Sequence, residues 1–97
     1  MQTILANGTT VQLNYIDYAG LCGRDSEFSP VEVDLGAQGE ILSNRVEVMD
    51  ENMCRVDGIE GMLPGAQSSD EDLVMYTVQL VSGRILHLAS YELELVR

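Results

Sequence analysis

One histidine (His87), two cysteines (Cys22 and Cys54) and sixteen carboxylates are the groups in this 97-residue chain from which a reaction centre could be assembled. Nucleophilic catalysis needs a nucleophile with an oriented base beside it. His87 lies in Ile85-Leu86-His87-Leu88, where alternation sets it opposite Leu86 and Leu88, the position of an ordinary exposed strand residue. No local signature links it to either cysteine. Zinc sites want Cys and His at short paired spacings, and Cys22, Cys54 and His87 offer no such pair. Asp50-Glu51-Asn52 and Asp70-Glu71-Asp72 match only fragments of a calcium loop. Acid–base hydrolysis requires two carboxyl groups in contrasting environments, and nothing marks one of the sixteen as buried. The expectation is a non-enzymatic protein with no catalytic residues, no metal and no cofactor.

Charge is the more informative property. The formal net charge is −11, and all five basic side chains are arginines. The absence of lysine removes Schiff-base chemistry and Walker-type phosphate loops. Direct nucleic-acid binding is excluded by the lack of a basic surface. Glu32/Asp34 and Glu92/Glu94 are i, i+2 pairs, which on a strand share one face about 6.6–6.8 Å apart. Glu47 adds a carboxylate on another strand, and Asp70, Glu71 and Asp72 form an acidic loop. Phosphates along a DNA strand repeat on the order of 6–7 Å. Such rows would offer a phosphate-like array to a basic protein surface, including that of a nucleic-acid-binding machine, and would inhibit or modulate it. Small acidic proteins that act as DNA mimics, some anti-CRISPR proteins among them, share this general look.

The elements that must position these residues read as mostly β. Asn7-Gly8 between Ile4-Leu5-Ala6 and Thr10–Ile16 is a hairpin signal, because both turn residues tolerate positive φ. Gly20, Gly23, Asp25, Ser26, Ser29 and Pro30 mark a long loop. Val31-Glu32-Val33-Asp34-Leu35 alternates as a half-buried strand, Gly36 to Gly39 reads as a turn, and Glu40-Ile41-Leu42 opens the next strand. Arg45 to Met49 alternates again. Leu73 to Val81, a Ser82-Gly83 turn and Arg84 to Leu88 form the clearest hairpin, with Val74, Tyr76, Val78 and Leu80 on one face. Ala89-Ser90-Tyr91 reads as a short 3₁₀ turn ahead of a last strand, Glu92 to Val96. A helix over Ser69 to Met75, capped by Ser69, is the competing reading there. Six or seven short antiparallel strands in one small domain, residues 1–97, argue for a barrel or sandwich.

Gly58-Ile59-Glu60-Gly61, Tyr76-Thr77-Val78-Gln79-Leu80, Ser82-Gly83-Arg84 and Tyr91-Glu92-Leu93-Glu94-Leu95-Val96 follow one another in a recognisable order. On these pieces the C-terminal half, Val56 to Val96, resembles small SH3-like barrel domains, as in the ferredoxin–thioredoxin reductase variable chain and translation-factor-type barrels. The resemblance implies a binding role. It opens an alternative, a small-molecule binder or accessory subunit with Tyr15, Tyr18, Phe28 and Tyr91 beside the long loop. No apolar run reaches the roughly 18 residues of a membrane span, and the first residues lack a signal-peptide pattern. The expected location is the cytoplasm, where Cys22 and Cys54 would be free thiols.

Overall fold

The computed structural model describes residues 2–18, 24–52 and 55–96. Eight strands and three 3₁₀ turns follow in chain order. They are β1 (Gln2–Thr3), β2 (Thr10–Leu13), η1 (Ser26–Phe28), η2 (Glu32–Asp34), β3 (Gln38–Met49), β4 (Arg55–Glu60), β5 (Gln67–Ser68), β6 (Leu73–Leu80), β7 (Ile85–Ala89), η3 (Ser90–Glu92) and β8 (Leu93–Leu95). All pairings are antiparallel. β1 and β5 make a small two-stranded sheet, and the other six strands form a larger one in the order β7-β6-β3-β2-β8, with β4 also on β3. Among the described residues neither sheet closes on itself. The described residues are mainly β, as the alternation implies, and form no closed barrel.

β3 is the organising strand. One side of it carries β6 from Gly39 to Glu47. On the other side its first three residues pair with β2 and its last five with β4. The sequence suggests two strands here because the buried phase changes, from Gly39 and Ile41 to Asn44 and Val46. The cause is a register irregularity between Ile41 and Ser43, an extra residue that flips the side-chain phase without ending the strand. Gly39 is tightly enclosed there: a Cβ on it would stand 2.5 Å from the Gln79 carbonyl oxygen.

The core forms where the two strongest alternating segments face the rest. Val74, Tyr76, Val78 and Leu80 of β6 are buried, with Leu86 and Leu88 of β7, Val11 and Leu13 of β2, and Ile41 and Val46 of β3. Each such side chain contributes about 1.5–3 kcal/mol relative to its exposed state. Ile4 completes the core from the N-terminal segment. The Tyr76 hydroxyl accepts the Leu5 N–H at 3.0 Å, and this fixes that segment over β6.

Several local expectations change. The Asn7-Gly8 turn is present, with Gly8 at φ 85°, but its flanks do not pair with each other. β1 joins β5, whereas β2 lies between β3 and β8. Residues 31–35 are not a strand: the Asp34 carboxylate accepts the Val31 N–H at 2.8 Å, and the chain curls into η2. Gly36, at φ 84°, supplies the turn, and Gln38 and Gly39 already belong to β3. Residues 69–72 form a turn, with Ser69 Oγ accepting the Glu71 N–H, and β6 replaces the competing helix. The β6–β7 hairpin and the 3₁₀ turn before the last strand match the sequence reading, though η3 takes in Glu92.

Candidate functional site

The sequence leads to the carboxylates, and their placement separates them into two groups. Asp34 and Glu92 are internal. Glu92 is fully buried, and its Oε1 meets Arg24 at 2.6 Å and accepts the Ala89 N–H at 2.8 Å. Its Oε2 accepts the Asp17 N–H at 2.9 Å. Arg24 also donates to the carbonyls of His87 and Asp17, at 3.3 and 3.2 Å. Asp34 takes both its oxygens to Arg84, each at 3.0 Å. These two ion pairs tie the long β2–β3 connection to β7, η3 and the β6–β7 turn. Neither Glu32/Asp34 nor Glu92/Glu94 is therefore a same-face strand pair, since one member of each is buried in a 3₁₀ turn. The spacing that suggested phosphates does not exist at either place.

The second group faces solvent. Glu32 lies on the outside of η2, and Glu94 is exposed on β8 beside Asn14, whose side-chain amide donates to it. Asp70 and Glu71 are exposed in the turn before β6, with Asp72 half-buried next to them. Glu40, Glu51, Asp57 and Glu60 add to this surface. Glu47 is half-buried between Arg55, at 3.1 Å, and Arg45, at 3.5 Å, and Arg45 also reaches Glu60 at 2.7 Å. Among the described residues, each arginine is thus held by a carboxylate of the same chain. What the surface presents outward is left with one dominant sign.

The aromatic residues divide in the same manner. Tyr15 and Tyr91 are half-exposed and tilted against each other, ring centroids 6.4 Å apart. The Tyr91 hydroxyl donates to Asp17, and burial, followed by that carboxylate's bond and charge, pushes its pKa up. Phe28 instead stacks on His87 at 4.5 Å, and Tyr18 projects into solvent. His87 is accordingly half-buried under the loop rather than an open strand residue. Two shallow depressions, one bordered by Gln38, Gly39 and Val81 and the other by Gln2, Ser90 and Leu95, include none of these four aromatics.

Sequence reasoning missed Arg24, Arg84 and Asp17, which organise the loop. No local signal marks them, because Arg24 is held by Glu92 and Arg84 by Asp34, 68 and 50 residues away in sequence. Cys22 and Cys54 lie outside the described residues. Among the described residues no three His, Cys, Asp or Glu side chains gather as a metal site, and no helix is long and apolar enough to cross a membrane. Comparison with family models, curated proteins and solved structures finds no match.

Proposed function

We propose that this chain is a non-enzymatic interaction protein whose negative surface engages a basic partner protein. The observation that carries the reading is the internal use of the arginines. Arg24 is buried, and Arg45, Arg55 and Arg84, though partly exposed, are each paired with a carboxylate, which leaves the exposed acids Glu32, Glu40, Glu71 and Glu94 outside these ion pairs. A field of one sign raises the encounter rate with an oppositely charged surface and is screened by salt. Charge alone supports this reading, and phosphate-like spacing no longer contributes.

An SH3-like arrangement is part of the same proposal. Its support is the run β2, long connection, β3, β6, tight turn, β7, 3₁₀ turn, β8, with the last strand returning to pair with the first of that series. β4 is an addition to that run, and the sheet is open. A small-molecule role at Tyr15, Tyr18, Phe28 and Tyr91 has less support, because Phe28 stacks on His87 whereas Tyr15 pairs with Tyr91.

The test is affinity capture from the source cells with the native chain and a variant carrying Glu32→Gln, Glu40→Gln, Glu71→Gln and Glu94→Gln. The expected partners are basic, elute between about 0.1 and 0.5 M salt, and are lost with the variant. A partner that stays bound at high salt and binds the variant equally well would sink the reading. Asp34 and Glu92 are left out of the variant because both hold the fold together.

A further inference from the structure

β4 pairs with β3 along one edge and, among the described residues, with no strand along the other. The register decides which of its backbone groups point outward. Gly61 donates its N–H to the Asn44 carbonyl at 3.2 Å. Hydrogen-bonded pairs alternate along an antiparallel ladder, so the next fall at Val46–Ile59 and Val48–Asp57. The amides and carbonyls of Gly58 and Glu60 therefore face away from β3. The Gly58 N–H has found a substitute acceptor, the carboxylate of its neighbour Asp57, at 2.8 Å.

The side chains around this edge describe what it would accept. Val56 and Ile59 are 62% and 46% exposed, large values for apolar residues on a strand. Residues 45–60 hold five carboxylates against two arginines. An exposed edge is a template for another strand, and charges along it select which strand is admitted.

We infer that the open edge of β4 takes up an extended, basic segment of a partner protein as an added strand, with Asp57 acting as the gate. This inference rests on the basic-partner reading and specifies how that partner docks. An incoming carbonyl replaces the Asp57 carboxylate on the Gly58 N–H. The released carboxylate, exposed to solvent, then favours a cation beside it, which a lysine or arginine of the incoming strand supplies. A neutral strand leaves it without one, and a second copy of this chain brings more negative charge against it. Asp57 and Ile59 share a face, so the segment carries a basic residue two positions from an apolar one.

The probe is a short acetylated peptide alternating lysine with valine, titrated into isotopically labelled protein at low salt. Two control peptides accompany it, one N-methylated at alternate amides and one with threonine in place of lysine. Resonance changes should centre on β4, and exchange of the Gly58 and Glu60 amides should slow. N-methylation should weaken binding at least about tenfold. Asp57→Asn should weaken the lysine peptide about fivefold while strengthening the threonine peptide. Equal binding of the N-methylated peptide, or changes centred away from β4, overturns strand addition and leaves the basic-partner reading standing. Failure of every basic peptide to bind at low salt removes both. Concentration-dependent sedimentation without peptide, together with a protected Gly58 amide, assigns the edge to a second copy and also overturns the inference.

Discussion

Glu92 shows at the residue scale how one side chain can be misjudged from its neighbours. In Tyr91-Glu92-Leu93-Glu94 it looks like the outward member of an alternating strand, yet it is completely buried and bonded to Arg24 and two backbone amides. Removing Arg24 leaves that carboxylate without its cation in a low-dielectric site. Arg24→Met and Glu92→Gln each leave one buried charge without its counter-ion, so each should cost about 3–5 kcal/mol in urea unfolding. A loss under about 1 kcal/mol for either variant would mean that the pair's charge is immaterial. Tyr76 provides a second case. Burial raises its pKa above 10.0 and outweighs the lowering effect of its bond with the Leu5 N–H. A phenol whose folded pKa lies above its unfolded value contributes stability that is complete below pH 10 and lost as pH rises through the folded value. Tyr91 is shifted in the same direction and adds to this loss. Alkaline titration of unfolding should therefore show stability falling above about pH 10. Tyr76→Phe should cost about 1–2 kcal/mol at neutral pH, by orphaning the Leu5 amide, and should lessen the alkaline slope.

Elements were legible where two signals agreed. Leu73 to Leu88 combines alternation, β-branched and aromatic residues and a Ser-Gly turn, and it forms the β6–β7 hairpin. Val31 to Leu35 also alternates, but the Asp34 carboxylate that turns back to the Val31 N–H is held there by Arg84, 50 residues away, and no window of that segment contains that partner. The same holds for β1: the Asn7-Gly8 turn is local, whereas the partner strand β5 lies more than sixty residues away. β3 could be read only in halves, because a bulge alters the phase without altering the strand. Gly39 tests that account of β3. Its φ is unexceptional, so the need for glycine is one of space, between Val11 and Leu80 in the paired strands and under the Gln79 carbonyl. Gly39→Ala should destabilise the chain by about 1–3 kcal/mol, since the obstructing atom is backbone and cannot swing aside. Gly58→Ala is the control. A Cβ there meets the Arg45 guanidinium, the end of a flexible side chain, and thermal melting should register a much smaller change.

For the whole molecule, composition indicated the sign of the surface field, but only the fold could divide structural acids from available ones. Of the residues suggested by sequence, Asp34 and Glu92 belong to the interior, Glu47 is engaged by two arginines, and Glu32, Asp70, Glu71 and Glu94 face outward. This division has a consequence for stability. With a net charge of −11, the compact state brings like charges together, and added salt screens that repulsion. Salt also weakens the ion pairs, but Arg24–Glu92 is shielded from solvent, with side chains 7% and 0% exposed, and an exposed pair such as Arg45–Glu60 contributes little in any case. Repulsion should decide the sign. The urea midpoint should rise between about 0.02 and 0.5 M sodium chloride, corresponding to about 1 kcal/mol. Urea is the suitable denaturant because guanidinium chloride would itself screen the charges. A midpoint that falls with salt would mean that the ion pairs outweigh the repulsion. The same addition should loosen any complex with a basic partner, so salt is expected to act on folding and on binding with opposite signs. That opposition separates a surface merely solvated by its charge from one that uses it, because only the second loses a partner under the conditions that stabilise its fold.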